Sequence, residues 1–264
     1  MSITLDRAEL FRSPTRTGSK YFQVWMAGLC VLVSFAGFAP TYWGRLASGT
    51  DVGPPILHLH GLLFSAWPIF LLVQAALAAS GRMARHRAVG LVGIALATSM
   101  VLVGTLLALV RVKHLIAMGQ GDAAIAFSIV PLLGPPVFAA TFIAAIAAVR
   151  RPETHQRLML VATVGLLQAA TGRFFRLVLL PPELRTIPLM DAPAPPVAVT
   201  VGPALAAFLI ILIGMLYDWR TRGRPHPAYV IGGGITLAVQ LLKVPLSTTA
   251  AWRATVHGLL SLMA

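Results

Sequence analysis

The chain has 264 residues, of which 57% are hydrophobic and 11% charged, with 21 Lys and Arg against 8 Asp and Glu and a formal net charge of +13. Soluble domains carry about 25% charged residues; a chain this poor in charge, with a mean hydropathy of +0.81, cannot cover a water-facing surface and reads as an all-α, polytopic membrane bundle. Its basic residues lie between apolar runs, so they read as topology determinants and contacts to lipid headgroups, and nucleic acid is excluded as a partner.

The opening segment, residues 1–21, carries both signs of charge and is long for a signal-peptide n-region, so the first apolar run is expected to be retained behind a cytoplasmic N-terminal segment. Seven runs of about 20 apolar residues follow. They lie near 22–42, 56–79, 87–112, 125–149, 156–179, 198–217 and 228–246. Together they make one transmembrane domain over 22–246, with 247–264 left as a short tail. Cys30, the only cysteine, sits in the first run, which excludes an internal disulfide and a Cys-based metal site.

The links between runs alternate in character. "GRMARHR", "RRPETHQR" and "DWRTRGRPHP" are short, rich in arginine and broken by Gly or Pro, whereas "PPELRTIPLMDAPAPPVAV" is too rich in proline to be a helix throughout and is expected to cap the opposite mouth. Thirteen of the 21 basic residues fall on the side of the arginine-rich turns and 8 on the other. By the positive-inside rule the N-terminus is cytoplasmic and the C-terminal tail external. No internal repeat is evident.

Chemistry at membrane depth has to come from the few polar groups there, because each is costly to place in hydrocarbon. His58 and His60 stand at the external end of the second run, in "ILHLHGLLFSAW". Two residues apart on a helix they point about 160° from each other, so they do not ligate one ion; His60, the deeper, shares its face with Phe64, Trp67 and Gln74. His114 ends the third run on the same side and offers His60 a partner for haem or copper. The competing reading is a polar rim with Trp67 as a packing aromatic.

His86 opens the third run, and helical spacing places Gly90, Gly93, Ala97, Met100, Gly104 and Ala108 on its face. Such a face admits either a flat cofactor or a closely packed neighbouring helix. His155 opens the fifth run on the same membrane side, its face running through Met159, Ala162, Leu166 and Ala169 to Arg173 and Arg176. Paired across the bundle, His86 and His155 are placed to be axial ligands of a haem b; alternatively both lie at the interface, against lipid phosphates beside Arg87 and Arg157. Arg173 and Arg176 share a face. They either snorkel to the interface, are neutralised by Glu183 or Asp191 of the cap, or bind an anion such as a haem propionate.

The stretches "HLHGLLFSAW", "RHRAVGLVG", "RPETHQRLMLVA" and "HPAYVIGGGITLAVQLLKVPLSTTAAW" resemble a group of uncharacterised bacterial multi-pass membrane proteins, over most of residues 56–252. That likeness implies a bacterial inner-membrane location and no particular activity. A weaker similarity runs to the ascorbate-reducible transmembrane cytochromes b, in which His86 and His155 match one haem-holding pair. The fourth run has no histidine, so the second pair of that family is missing and one haem at most is implied.

Two function classes follow. One is a haem b protein that passes electrons to a membrane redox partner; the other is a non-redox transporter or accessory factor without a cofactor. No acidic residue lies within the seven runs as bounded, which weighs against proton-coupled transport, and no Ser-His-Asp spacing or phosphate-binding glycine loop points to catalysis.

Overall fold

A hydrocarbon core offers backbone amides no water, so a chain spanning it must satisfy them within each segment. The computed structural model, which describes residues 21–50, 53–179, 181, 187, 188 and 190–263, does so with helices: α1 (Phe22–Phe38), α2 (Gly44–Ala47), α3 (Pro55–Ala79), α4 (Met83–Ala117), α5 (Gly121–Phe127), α6 (Ile129–Ala147), α7 (Pro152–Leu179), α8 (Val201–Arg222), α9 (Gly233–Leu246) and α10 (Ala250–Ser261). They make seven spans long and apolar enough to cross a membrane: Phe22–Ala47, Pro55–Ala79, Met83–Ala117, Gly121–Ala147, Pro152–Leu179, Val197–Arg222 and Ala228–Leu246. The protein is a polytopic membrane helical bundle.

Proline sets the interruptions. Pro40 lacks the N–H that would continue α1, and the chain passes through a π-helical turn, Ala39–Trp43, before α2. Pro131 leaves the Phe127 carbonyl without its helical donor, which is where α5 gives way to α6 around Ser128. Several span ends move by a few residues from expectation. The fourth and fifth spans start earlier, at Gly121 and Pro152, and take in Asp122 and Glu153, and the sixth runs on to Arg222, not 217, and takes in Asp218; this overturns the expectation that no acidic residue lies in a span. The tail is helical, with α10 packing Val256 and Trp252 against α4 and α5. The segment expected to precede the first span lies, up to residue 20, outside the described residues.

The central helix is α7, against which α1, α6 and α8 pack, while α3 lies on α1 and α4, and α4 on α6. Where α1 crosses α7, a Cβ on Gly37 would sit 2.4 Å from the Ala170 carbonyl oxygen, so only glycine permits this approach. A second cluster forms around Trp67, whose ring meets Phe138 and Phe142 edge-on and whose Nε1 donates to Thr163 Oγ1 at 3.0 Å. That bond ties α3 to α7 and satisfies an indole N–H in a setting without water.

A cation-lined cavity under the proline-rich cap

The space between α3, α4, α6, α7 and α9, in the half of the bundle nearest the segment 187–196, is a cavity of about 840 Å³. Its walls are mostly apolar, with Phe64, Trp67, Leu107, Phe138, Leu166 and Val239 among them. Ile187, Met190 and residues 192–196 form its roof. Three contacts from the end of α4 and just beyond hold that roof: Arg111 donates to the Ala192 carbonyl at 3.0 Å, Gln120 Oε1 accepts from Ala194 N at 3.1 Å, and His114 Nε2 lies 2.8 Å from Asp191 Oδ1. The proline-rich link is a cap, as its composition implies. Its residues 182–186, Glu183 included, lie outside the described residues.

Among the described residues, the charged groups on the walls are of one sign. Arg111, Arg173, Arg176, Lys243 and His60 all line the cavity, and among the described residues no Asp or Glu does. Arg173 stacks its guanidinium over Phe38 at 4.1 Å and donates to the Ala169 carbonyl at 2.9 Å, but its Nε is buried with no acceptor. Lys243, 2% exposed, donates to Gln168 Oε1 at 3.0 Å and to Gln240 Oε1, both neutral oxygens. His60 stacks on Phe64 with ring centroids 4.0 Å apart, and its Nδ1 is buried without a partner. A buried polar atom left unmade costs about 1–3 kcal/mol. Two such atoms, Arg173 Nε and His60 Nδ1, on one cavity beside the buried Lys243 mark it as a place for something that accepts hydrogen bonds.

His58 turns away from His60 and meets the Tyr42 hydroxyl through Nδ1 at 3.2 Å, as their spacing on a helix requires. Three of the residues singled out in the sequence, His60, Arg173 and Arg176, thus come together. His114 is not on the cavity wall; its partner is Asp191. Arg111, Lys243 and Gln168 escaped notice in the sequence, although Thr236, Gln240 and Lys243 make a polar stripe at helical spacing in an apolar run.

His86 and His155 sit at the opposite end. Their ring centroids lie 6.4 Å apart with planes at 88°. His155 Nδ1 donates to the Ala145 carbonyl at 2.8 Å, leaving its Nε2 lone pair free. His86 differs. With its NH2 toward His86, the Gln74 amide donates to His86 Nδ1 at 2.6 Å and to His86 O at 3.1 Å, while its oxygen accepts from Gly90 N at 3.2 Å. The main-chain oxygen of Gln74 also lies near Nδ1, at 3.2 Å, so Nδ1 accepts from the amide or donates to this oxygen according to the ring's tautomer. The small-residue face below His86 points inward; α3 fills it where a Cβ on Gly93 would meet Phe70 at 2.4 Å and one on Gly104 would meet Phe64 at 3.1 Å, and its far end, Gly104 and Ala108, lines the cavity. Among the described residues no three His, Cys, Asp or Glu converge as a metal cluster.

The same end is locked by ion pairs. Arg157, 2% exposed, takes Asp218, 1% exposed, in a bidentate grip, Nε to Oδ2 at 2.8 Å and Nη2 to Oδ1 at 2.5 Å. Arg222 pairs with Glu153 beside it, and Arg157 also lies 5.7 Å from the Tyr229 ring centroid. Arg157 is therefore a buried clamp between α7 and α8, not a contact to lipid phosphate. In the turn that follows, His226 N donates to Asp218 Oδ2 at 3.3 Å and His226 Nδ1 accepts from Ala228 N at 3.1 Å. Burial first, then the positive charge of Arg157, holds the His226 imidazole below its usual range.

No protein-family model, curated protein or solved structure matches the chain.

Proposed function

We propose that this integral membrane protein holds a small ligand in the capped cavity, as a carrier or a ligand-binding accessory factor. What supports the reading is the cavity itself. Its volume falls within the range of about 300–1,000 Å³ typical of small-molecule sites, and its apolar walls carry a few convergent polar groups, as such sites do. The far end is clamped by Arg157 and Asp218. The proposal puts the protein in the bacterial inner membrane with its N-terminus cytoplasmic and the cap outside, because the basic turns gather at the clamped end.

Native mass spectrometry of protein ejected gently from detergent tests this. Gly134 lines the cavity, and a Cβ there meets no atom within 4 Å, so Gly134→Trp starts its side chain in open space and is chosen to fill the cavity. The wild type is expected to carry a stoichiometric small-molecule adduct that Gly134→Trp lacks. An adduct that persists in the filled variant contradicts the assignment of the site.

A second reading keeps haem b, with electron transfer to a membrane redox partner. It is supported by the facing of His86 and His155 and by the free Nε2 of His155; His60, Arg173 and Arg176, which line one cavity, bring an imidazole together with propionate-binding groups at a second place. Against the first pair stand Gln74, whose amide lies against His86 Nδ1, and Phe70, which fills the face beneath it at Gly93. The absorption spectrum separates the two readings: a Soret band that His86→Ala and His155→Ala both abolish supports haem there, and a colourless preparation from a haem-replete host rejects it.

A further inference from the structure

We infer that the ligand of this cavity is an amphipathic oxyanion: a carboxylate or phosphate head seated against Arg173 and Lys243, with an apolar body lying along α6 and α7. The inference rests on the cavity being the binding site and adds the chemistry of what fills it.

Arg173 and Lys243 carry it. Lys243 is 2% exposed, and its two acceptors, Gln168 and Gln240, are neutral. Placing a cation in hydrocarbon is costly, and side-chain amides offset only part of that cost. Arg173 likewise has a main-chain carbonyl and an aromatic ring for partners, with Nε left over. Gln168, which holds Lys243, is five residues before Arg173 on α7, about 7.5 Å along the axis, so both cations address the same stretch of cavity. His60 Nδ1, orphaned and buried, adds a third group on the facing helix. Arg111 and Arg176 line the same space.

An oxyanion answers these groups together, His60 through its Nδ1–H tautomer. It accepts from several donors, matches the planar fork of a guanidinium, and offsets the buried charge. The rest of the wall asks for hydrocarbon: Leu107, Leu133, Val137, Phe138, Leu166 and Val239 contribute no donor or acceptor side chain. A neutral lipid would leave both cations unpaired, and a cationic one would face like charge. A bare oxyanion would leave most of the apolar wall empty.

The test is thermal unfolding of the full chain in a neutral maltoside detergent, titrated with hexadecyl phosphate, hexadecanoate, hexadecanol, hexadecyltrimethylammonium or inorganic phosphate. The two amphipathic anions are expected to stabilise the protein, with affinity at least about tenfold above hexadecanol, the size of effect one charge-assisted hydrogen bond supplies. Inorganic phosphate and the ammonium are expected to do little. Arg173→Gln and Lys243→Met should each erase most of the preference for anions, and Arg173→Lys, which keeps the charge but loses the fork, should erase part of it. Lys243→Met should also raise the melting temperature of the ligand-free protein by removing a buried cation, so loss of binding there is not loss of folding. Equal binding of hexadecanol and hexadecyl phosphate, abolished by Gly134→Trp, overturns the anion and leaves the cavity reading standing. Inorganic phosphate binding as tightly as its hexadecyl ester overturns the apolar body. If none of the five binds, the cavity reading falls as well.

Discussion

Asp218 and Arg157 show how much a single pair decides in a membrane bundle. Each is almost wholly buried and each is the other's principal partner. Removing one charge leaves the other stranded, which costs about 3–5 kcal/mol, whereas replacing both with apolar residues of similar volume is often neutral. Asp218→Asn should therefore lower the melting temperature sharply in detergent, and Asp218→Leu with Arg157→Met should recover most of it. Equal losses in the single and double variants would contradict the clamp. The pair was hidden in the sequence by one position: Asp218 falls just past the expected end of the sixth run at 217, and Arg157 looked like one more interfacial arginine. Helix ends are where hydropathy is least informative, since the apolar signal fades before the helix does.

His226 belongs to the same scale. Its Nδ1 accepts the Ala228 N–H only while the ring is neutral, and burial with Arg157 keeps its affinity for protons below the usual range. In the unfolded chain it titrates near about 6.5. The unfolded state therefore binds more protons just below that pH, and stability contributed here is present above about 6.5 and lost as pH falls below it toward the lower folded value. Melting temperature should drop as pH falls below about 6.5, and His226→Gln should flatten that slope. An unchanged slope in the variant would refute the role.

Among the elements, the face of α4 below His86 was legible as an inward stripe of small residues, but its purpose was not. Spacing shows which side of a helix is narrow; it does not say whether a cofactor or another helix enters. Phe70 and Phe64 of α3 fill it, and their size, not their periodicity, decides the matter. The contact between α1 and α7 depends on the same economy of space at Gly37. With a main-chain oxygen 2.4 Å from the place of any Cβ, nothing flexible can yield. Gly37→Val should part the two helices and cost roughly 1–3 kcal/mol, the range for overpacking, seen as a lower melting temperature and poorer recovery from membranes; wild-type stability would show that the crossing is loose. On α9 the stripe Thr236, Gln240 and Lys243 was readable in principle, yet a lysine three residues from the end of an apolar run is hard to tell from one that snorkels.

At the scale of the molecule, the seven spans and the all-helical architecture follow from composition alone, because a bilayer admits so few backbone solutions. The functional volume does not follow, since it lies where five helices and the cap fail to close and no local pattern encodes a gap. The charge count takes on a different meaning with the fold in view. Of the 8 basic residues assigned to the outer side, Arg111, Arg173, Arg176 and Lys243 line the cavity, so they are not loop charges and the bias toward the other side is stronger than the raw count. Reporter fusions after Ala264 should then be active only outside the cytoplasm; cytoplasmic activity would reverse the orientation and set the cap facing inward.

The claim on which the account turns is that the space beneath the cap is a site and not a packing defect. A density map of the protein in lipid nanodiscs made from its own membrane tests it most directly. The account predicts elongated non-protein density in the cavity, reaching Arg173 and Lys243 beneath residues 187–196. A cavity closed by α6 settling against α9, with no density and with Lys243 turned out to the interface, would contradict it.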